Sequence, residues 1–491
     1  MSLINVSNLS FAYEGSPDEI FTNASFQLNT DWKLGFCGRN GRGKTTFLKL
    51  LLGIHEYSGS ISSNVSFEYF PSIIEEPSQN VMDILLTKAP EAQEWQIQRE
   101  ISKLSVKEDV LYRPFSTLSN GEQTKVLLAS LFLRENNFLL IDEPTNHLDM
   151  NARETVAQYL NSKNGFILVS HDRVFLDNCI DHILSINRAT IDVIKGNFTS
   201  WWEQKKRQDS SELAKNEQLK QEIGRLKESA AKTARWSDKV EKSKIGAYDK
   251  GYVGHKAAKM MKLSKNAEKR RLDAADEKSK LLKNIEANNT ELKIHPLEYH
   301  SRRLISMEDV SISYGQNIVC QHLNLSLEQG QRLALVGGNG SGKSSILKLV
   351  CGEKITHTGY INVGSQLKIS YVPQGASFLK GDLKAYAWEQ SIDETLFKAI
   401  LRKLDFSRSQ FEKDMGDYSA GQKKKVLIAR SLCQQAHVYI WDEPLNYIDV
   451  ISRIQIEELI AEYKPTMLFV EHDSAFVNNV ATDTVNLVEN S

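Results

Sequence analysis

Two glycine-rich stretches decide the fold of this chain: GRNGRGKTT, residues 38–46, and GGNGSGKSS, residues 337–345. Both satisfy the pattern GxxxxGK[ST], and each follows a short apolar run and precedes a stretch with helical apolar spacing. In that context the glycines let backbone N–H groups close around phosphate oxygens at a helix N-terminus. The lysine adds positive charge and the next hydroxyl can hold Mg²⁺. The sequence therefore predicts two phosphate-binding loops.

The two loops belong to an internal duplication with an offset near 300 residues. Four further strings pair in the same order: SFAYEG with SISYGQ, LSNGEQ with YSAGQ, LLIDEP with YIWDEP, and LVSHD with FVEHD. The runs KLGFCG and RLALVG before the loops are predicted as buried strands. The runs after them are predicted as helices that end at Gly53 and Gly352. Each half alternates strands and helices, which predicts an α/β fold with a largely parallel sheet.

Each half also presents acidic residues at the end of an apolar strand. The first acid, Asp142 or Asp442, can hold Mg²⁺, and the second can orient or deprotonate the water that attacks a γ-phosphate. About 30 residues later a histidine follows another apolar strand, where its imidazole can reach the same phosphate. A single histidine after a strand is more often structural, but two at matched offsets favour a role in chemistry. The candidate catalytic residues are Glu143, Glu443, His171 and His472.

Length and composition fit a folded protein of two large domains or several small ones, with 41% apolar and 25% charged residues in 491 positions. No window approaches the roughly 18 to 20 uninterrupted apolar residues of a transmembrane helix. The N-terminus also lacks the pattern of a signal peptide. Five scattered cysteines show no CxxC spacing and are expected to be reduced structural thiols. We therefore expect a cytoplasmic protein with no membrane partner.

The segment between the halves is basic and helical. Residues 203–293 contain 24 Lys and Arg against 15 Asp and Glu, and the whole excess lies between residues 232 and 271. The segment favours helix and has two apolar stripes, one of them through Leu219, Ile223, Leu226 and Ala230, so we predict two antiparallel helices. Glycines break the pattern near residues 237–254, the predicted tip. A solvated helix pair without a ligand is the alternative interpretation.

At the tip, lysines alternate with Trp236, Tyr248 and Tyr252, the combination that joins phosphate neutralisation to base stacking. The predicted RNA-binding residues are Lys239, Lys242, Lys244, Tyr248 and Lys250.

The motifs of the two halves together resemble those of the ABC ATPases, and LSNGEQ and YSAGQ match the signature loops of that family. The resemblance implies two ABC-type P-loop nucleotide-binding domains. The signature loop of each domain would close over the ATP that the other domain holds. Composite sites would form from Ser419 and Gly421 with Lys44, called the first ATP site, and from Ser119 and Gly121 with Lys343, called the second ATP site.

The resemblance also assigns the remaining contacts with ATP and Mg²⁺. Tyr13 and Tyr314 would stack on adenine, and Asp149 and Asp449 match the loop that communicates between the domains. The implied ATP-binding residues are Tyr13, Gly38, Asn40, Gly41, Gly43, Lys44, Thr45, Thr46, Ser119, Gly121, Tyr314, Gly337, Asn339, Gly340, Gly342, Lys343, Ser344, Ser345, Ser419 and Gly421. The implied Mg²⁺-binding residues are Thr45, Asp142, Ser344, Gln374 and Asp442.

The two halves depart unequally from the family pattern. Gln374 in YVPQ matches the glutamine that senses Mg²⁺ and the γ-phosphate, whereas YFPS places Ser72 there. The second signature loop begins with Tyr418, and the second communicating loop has Tyr447 where the first has His147. We predict two competent sites with unequal turnover.

Tandem cassettes with a long charged linker resemble the ABC-F family, whose members bind ribosomes. The strings WKLGFCGRNGRGKTT, YFPS and YSAGQKKKV are most similar to its Lsa and Vga antibiotic-resistance group. The expected architecture is a first domain at residues 1–200 with a short arm at about 73–116, an antiparallel helical hairpin linker at 201–300 and a second domain at 301–491. The expected state is a monomer whose two cassettes pair within the chain.

The resemblance implies entry into the tRNA exit site of the 70S ribosome, with contacts to 23S rRNA and to initiator or peptidyl tRNA. It further implies displacement of lincosamides, pleuromutilins and streptogramin A compounds from the peptidyl transferase centre. Three alternatives remain open: a housekeeping factor for stalled ribosomes, the energy subunit of a transporter and a DNA-repair ATPase.

Overall fold

The computed structural model describes residues 2–14, 19–134, 136–146, 148–186, 191–242, 296–315 and 317–487, with Lys262, Asn266, Lys269 and Arg270 between them. By its internal contacts the chain divides into two compact units. One unit holds both cassettes, and the other spans Ser200–Asn289.

The first cassette contains two sheets. The smaller sheet is antiparallel, has the order β2-β1-β4 and is formed by β1 (Leu3–Phe11), β2 (Phe21–Asn29) and β4 (Ser58–Ser62). The larger sheet has the order β5-β6-β7-β3-β8-β9. Its strands are β3 (Lys33–Cys37), β5 (Ser66–Phe70), β6 (Asn137–Asp142), β7 (Phe166–Val169), β8 (His182–Ile186) and β9 (Ile191–Lys195). Its strands are parallel except for β9, which pairs antiparallel with β8.

The second cassette repeats this plan. Its antiparallel sheet has the order β11-β10-β13 and comprises β10 (Arg303–Tyr314), β11 (Asn317–Glu328) and β13 (His357–Val363). Its parallel sheet has the order β14-β15-β16-β12-β17, with β12 (Arg332–Gly337), β14 (Ile369–Val372), β15 (Val438–Asp442), β16 (Met467–Val470) and β17 (Asp483–Leu487). This order matches that of β5-β6-β7-β3-β8 in the first cassette. The predicted duplication and the predicted parallel α/β fold are thus confirmed.

Helices cover the parallel sheets in both halves. The first cassette has α1 (Lys44–Leu51), α2 (Val81–Lys88), α3 (Glu94–Lys103), α4 (Asn120–Leu131), α5 (Met150–Asn161) and α6 (Arg173–Cys179). After α7 (Phe198–Lys242), the second cassette has α8 (Lys343–Val350), α9 (Leu383–Glu389), α10 (Glu394–Lys403), α11 (Ala420–Cys433), α12 (Val450–Tyr463) and α13 (Ser474–Val480). Short 3₁₀ segments at 108–112 and 115–117 match those at 408–412 and 415–417. The segment expected to form a short arm, 73–116, therefore contains helices whose counterparts occur in the same order in the second half.

The strands that carry the motifs are buried on both faces, as parallel strands between helices must be. Every residue of β7 and of β16 is buried, and so are the apolar residues Phe138 to Ile141 of β6. Phe47 of α1 packs edge-on against Phe36 of β3 at a centroid distance of 5.6 Å, which holds the first phosphate loop on the sheet. The core therefore fixes the carboxyl ends of these strands, where the candidate site residues lie.

The linker begins with one long helix, as predicted. Helix α7 contains 45 residues and, at 1.5 Å per residue, is about 68 Å long. Ile223 is buried and Leu219 and Leu226 are half-buried, in agreement with the predicted first stripe. Residues 237–242, predicted as the start of the tip, still belong to α7. The rest of the tip, most of the predicted second helix and the RNA-binding residues Lys244, Tyr248 and Lys250 lie outside the described residues. Within the described parts of the chain, no helix is long and apolar enough to cross a bilayer.

Candidate ATP-hydrolysis sites

The two phosphate loops adopt the same strained backbone. Gly43 and Gly342 are the N-caps of α1 and α8 and have φ values of 91° and 84°. A side chain on Gly43 would also meet Ile20, because a Cβ placed there lies 2.4 Å from a methyl carbon of that residue. Only glycine combines this conformation with so close an approach. The N–H groups at the start of both helices are left available for an anion.

The loop lysines are nearly buried and curl back on their own loops. Lys44 Nζ donates to the carbonyls of Gly38 and Arg39 at 2.7 and 3.1 Å. Lys343 Nζ donates in the same way to Gly337 and Gly338 at 2.9 and 2.6 Å. Both ammonium groups thus lie inside the curve of the loop, where phosphate oxygens would replace these carbonyls as partners.

A hydroxyl and a carboxylate meet at each candidate metal position. Thr45 Oγ1 donates to Asp142 Oδ2 at 2.8 Å, and Ser344 Oγ donates to Asp442 Oδ1 at 3.0 Å. Burial raises the pKa of both carboxyl groups. A divalent cation would offset this desolvation, and hard oxygen donors are the ligands that Mg²⁺ prefers. The residues present therefore fit Mg²⁺, although Tyr69 also donates to Asp142 Oδ2 at 3.0 Å in the first site only.

The two candidate adenine-stacking tyrosines also occupy matching positions. The hydroxyls of Tyr13 and Thr46 are 2.9 Å apart, and the Tyr314 hydroxyl donates to Ser345 Oγ at 3.1 Å. The rings remain 43% and 50% exposed. Each hydroxyl is thus anchored on the helix that follows the phosphate loop, which leaves a ring face open for a flat ligand.

The candidate catalytic glutamates share an unusual backbone conformation. Glu143 and Glu443 have φ values of 52° and 45°, which non-glycine residues rarely adopt outside functional sites. Each carboxylate Oε1 lies 3.3 Å from the Nε2 atom of a histidine, His171 in the first site and His472 in the second. The sequence offset had indicated that each histidine could reach the same phosphate, but it had not indicated a contact with the glutamate.

The surroundings of the two glutamates differ. Glu443 Oε2 accepts hydrogen bonds from Gln374 Nε2 and Asn446 Nδ2, both at 2.9 Å. Burial alone would raise the pKa of Glu443, but the hydrogen bond and charge of His472, with these two amides, lower it to about 2. The second glutamate is therefore ionised throughout the neutral range.

Glu143 lacks this support. Burial and the neighbouring Asp142 raise the pKa of Glu143 to about 8, against smaller opposing effects of Arg453, Lys44 and the backbone N–H of His171. Burial also lowers the pKa of His171 well below its usual value. Ser72, which stands where the second half has Gln374, accepts instead from Lys88 Nζ at 3.0 Å. The first glutamate is therefore mostly protonated at neutral pH.

The signature loops begin helices in both halves. Ser119 and Ser419 are the N-caps of α4 and α11, and each side chain accepts from a backbone N–H three residues later at 3.3 Å. The glutamine or glutamate at that third position bonds back to the serine N–H, which completes a capping box. This local pattern explains why the serine sits at the edge of its helix.

In the first site, the second signature loop lies directly against the first phosphate loop. A Cβ on Gly421 would lie 3.3 Å from Asn40 Nδ2, and Asn40 Nδ2 donates to the carbonyl of Tyr447 at 2.8 Å. Arg39 Nη1 also lies 3.0 Å from Asp405 Oδ1. The structure thus brings Gly421 to the loop of Lys44.

The second site contains a cavity between residues of the two cassettes. A cavity of about 970 Å³ is lined by the first signature loop, including Ser119 and Gly121, and by residues of the second cassette. The lining residues from the second cassette include Asn339, Gln374, Glu443, Tyr447 and His472. The structure therefore brings Ser119 and Gly121 to one cavity with Asn339 of the second phosphate loop, whereas Lys343 is not among the residues that line it.

The communicating aspartates are helix N-caps. Asp149 Oδ1 accepts from the N–H of Ala152 at 2.8 Å, and Asp449 Oδ1 accepts from Ser452 at 2.9 Å. Asp449 is also paired with Lys425 at 2.9 Å. Across the cassettes, Arg153 Nη1 donates to the carbonyl of His472 at 3.0 Å. No sequence motif had pointed to Arg153.

Only two of the five predicted RNA-binding residues lie among the described residues. Lys239 and Lys242 belong to the last turns of α7, where the structure describes the backbone. The remaining three lie beyond it, so their role stays a prediction.

Comparison with known proteins agrees with this geometry. The ABC transporter family matches residues 21–146 and 320–446, which together make up just over half of the chain. The chain therefore belongs to the ABC family and is an ATPase with two nucleotide-binding domains, whose class binds ATP with Mg²⁺.

Two relatives align over nearly the whole chain. The ribosome protection protein VmlR of Bacillus subtilis (strain 168) is 26% identical over 496 residues, covering 99% of this chain and 87% of VmlR. The ATP-binding protein Uup of Buchnera aphidicola subsp. Acyrthosiphon pisum (strain APS) is 27% identical over 503 residues, covering 98% and 80%. These full-length relatives support the ABC-F assignment.

Solved structures share the fold. The archaeal ribosome recycling factor aABCE1, in complex with ribosomal stalk protein aP1, superimposes with a TM-score of 0.63 at 19% identity, covering 98% of this chain and 87% of that one. The RNase-L Inhibitor gives a TM-score of 0.60 at 20% identity, covering 93% and 84%. At these identities the likeness shows a common arrangement of two cassettes.

Proposed function

We propose that this protein is a cytoplasmic, ribosome-binding ATPase that closes its cassettes on two ATP molecules and is released after hydrolysis. The observation that carries the proposal is the alignment with a ribosome protection protein across 99% of this chain. An alignment of that extent includes the linker as well as the cassettes. The shared feature is therefore the complete arrangement, beyond the ATPase domains that many unrelated ABC proteins possess.

In the proposed reaction, the residues of each site have separate tasks. Lys44 and Lys343 neutralise phosphate charge, while Glu443, and Glu143 when it is ionised, orient the attacking water and accept its proton. Bound Mg²⁺ supplies charge that offsets the developing negative charge on the phosphates. Ser119 and Ser419 complete the sites from the opposite cassette, so that hydrolysis requires closure.

Delivery to the ribosome is assigned to the linker. Helix α7 extends for about 68 Å, and the basic excess lies toward its distal end and beyond. A basic surface of this kind binds phosphate backbones by releasing counterions, so the affinity must fall steeply with salt. The slope of the logarithm of the binding constant against the logarithm of the salt concentration measures this dependence. Changing Lys239 or Lys242 to alanine should make that slope shallower by about one unit each.

The more specific proposal is that the protein protects the ribosome from antibiotics, as members of the Lsa and Vga group do. The protein would enter the tRNA exit site beside initiator or peptidyl tRNA. Through 23S rRNA it would displace lincosamides, pleuromutilins and streptogramin A from the peptidyl transferase centre. The strings YFPS and YSAGQKKKV support this assignment.

Co-sedimentation with 70S ribosomes tests the binding step. The double variant Glu143→Gln, Glu443→Gln should pellet with ribosomes when ATP is present, because closure no longer ends in hydrolysis. The control is Lys44→Ala, Lys343→Ala, which loses the phosphate contacts and should stay in the supernatant. Equal pelleting of both variants, or of neither, contradicts the proposal.

Drug susceptibility tests the finer step. Expression in a susceptible host should raise the minimum inhibitory concentration of at least one of the three drug classes, and the double glutamine variant should not. Ribosome binding without any change in susceptibility would favour a housekeeping translation factor. That outcome is a real alternative because Uup, a relative of similar identity, is named only as an ATP-binding protein.

A further inference from the structure

Lys424 is a buried lysine that no ATP-site motif includes. It lies on α11, is 2% exposed and directs its ammonium group at two backbone carbonyls of the second cassette. Its Nζ atom donates to the carbonyl of Glu443 at 2.9 Å and to that of Pro373 at 3.2 Å. A buried ammonium group is costly unless it is hydrogen-bonded, so these two contacts decide where the loops can lie.

The two carbonyls belong to the residues that carry the second site. Glu443 is the candidate catalytic glutamate, and Pro373 directly precedes Gln374. The side chains of Gln374 and Glu443 are joined by a hydrogen bond of 2.9 Å. Lys424 thus holds the backbones of two segments whose side chains meet, which fixes the direction of the Glu443 carboxylate.

In the described part of the first cassette, the signature helix makes no equivalent contact. Thr124 occupies the position of Lys424 in the other signature helix, and its hydroxyl donates to the carbonyl of Asn120 one turn earlier at 2.9 Å. A threonine is too short to span from the helix to the loop of Glu143. Among the described residues, this bridge therefore occurs in the second cassette and not in the first.

Helix α11 also faces the other site. It begins at Ser419, and Gly421 in its first turn lies against Asn40 of the first phosphate loop. Lys424 is one turn further along the same helix. One rigid element therefore contacts the first ATP site at its start and the loops of the second ATP site through Lys424.

We propose that Lys424 is a positioning residue for hydrolysis at the second ATP site, and that it ties the Glu443 and Gln374 loops to the helix that closes the first. The proposal rests on the proposed role of Glu443. Removal of the ammonium group frees two carbonyls and lets the glutamate turn away from the water that it must orient. Because nucleotide binding uses the phosphate loop of Lys343, which Lys424 does not touch, kcat should fall and KM should not.

The test compares Lys424→Met in two single-site backgrounds. In Glu143→Gln, where only the second site hydrolyses ATP, we expect kcat to fall about tenfold, with KM within about twofold. In Glu443→Gln, where only the first site hydrolyses, kcat should change less than about twofold. Lys423→Met is the matched control, since its half-buried side chain is on the adjacent position of α11 and donates to the carbonyl of Gly416 at 2.9 Å, away from the loops of Glu443 and Gln374. It should leave both backgrounds unchanged.

Two outcomes overturn the proposal. Equal losses in both backgrounds indicate a general defect of the helix, and an unchanged kcat, with or without a change in KM, shows that Lys424 does not position Glu443. If Lys424→Met does not fold, Lys424→Gln keeps a shorter donor and is judged by the same criteria.

The double variant Glu143→Gln, Glu443→Gln separates the role of Glu443 from the role of Lys424. If turnover persists in it, the role of Glu443 fails; if turnover is lost while Lys424→Met is silent, only the role of Lys424 fails.

Discussion

The first and second ATP sites use the same motifs but place them in different surroundings. Glu443 accepts two amide hydrogen bonds and has a pKa of about 2, whereas Glu143 accepts neither and has a pKa of about 8. The first phosphate loop is in direct contact with the opposite signature loop, while the second faces a cavity of about 970 Å³. The ionised glutamate thus occurs at the second site, and the direct contact between phosphate loop and signature loop at the first.

This difference follows from few substitutions. Replacement of a glutamine by Ser72 removes one donor to the first glutamate, and the presence of Arg39 in place of the glycine at 338 adds an ion pair to the first interface. The motif lysines, aspartates and glutamates are unchanged between the halves. The contacts around a motif therefore determine how active its site is. Each of the following substitutions exchanges or removes one such contact.

The largest effect is expected from Glu443→Gln. Loss of an ionised general base should reduce steady-state ATP turnover by about 10²-fold, because such groups contribute that much or more. Glu143→Gln should reduce turnover by less than about twofold, since burial and the neighbouring Asp142 raise the pKa of Glu143 and disfavour the ionised form that acts as a general base. Phosphate release measured for both variants at pH 7 checks the order. Equal losses would show that the two sites contribute alike.

The next effect concerns the packing of α3 on α5. Glu100 on α3 is 2% exposed and accepts from Lys163 at 2.5 Å, Tyr159 at 2.8 Å and Lys103 at 3.0 Å. The second cassette has buried Ile400 at the matching position of α10. Glu100→Gln should lower the free energy of unfolding by about 2 kcal/mol at pH 7, because it leaves Lys163 half-buried without its carboxylate.

The pH dependence of this effect has a definite sign. Burial tends to raise the pKa of Glu100, but the hydrogen bonds from Lys163, Lys103 and Tyr159 outweigh it and lower the pKa to about 2. A depressed carboxyl pKa stabilises the fold above the unfolded value of 4.5, and this stabilisation is lost as the pH falls toward about 2. The melting-temperature difference between wild type and Glu100→Gln should stay constant from pH 8 to 5 and shrink below about 4.5. The control Ile400→Val should cost about 1 kcal/mol without that pH dependence.

Much of the fold and of the site chemistry was predictable from local sequence. The strands before the phosphate loops and the helices after them lie where the apolar patterns place them. Gly53 and Gly352 follow those helices with φ values of 69° and 88°, as predicted helix stops should. Signals of this kind succeed because each depends on a few neighbouring residues whose spacing is fixed by the backbone.

The contacts that distinguish the two sites were not predictable in this way. The run KKK at 423–425 suggests a solvated charged face, yet Lys424 and Lys425 are buried and Lys423 is half-buried. Arg39 and Asp405 are separated by 366 positions, and no local pattern joins them. The partner of a buried or paired charge is set by tertiary packing, which a single sequence does not contain.

A smaller effect is expected when the second site receives the residue of the first. Gln374→Ser should lower turnover about tenfold in the Glu143→Gln background, because Glu443 loses one of its two amide donors and serine is too short to replace it. Asn446 still donates to the same oxygen, so the loss should be smaller than that of Glu443→Gln. Ser72→Ala in the Glu443→Gln background is the matched control. Its effect should be below about twofold, since Ser72 contacts Lys88 and no catalytic group.

The smallest effect should come from Arg39→Gly, which gives the first loop the glycine of the second. The ion pair with Asp405 spans the cassettes at 3.0 Å, with side chains 21% and 15% exposed. Partly screened pairs of this kind contribute up to about 1 kcal/mol. The apparent KM for ATP of the first site, measured in the Glu443→Gln background, should therefore rise about threefold while kcat stays nearly constant.

Asp405→Ser, which introduces the residue found at 105, should raise the KM by the same factor. The two substitutions together should raise it no further, because both remove the same interaction. Independent, additive losses would mean that the tighter closure of the first site does not depend on this pair.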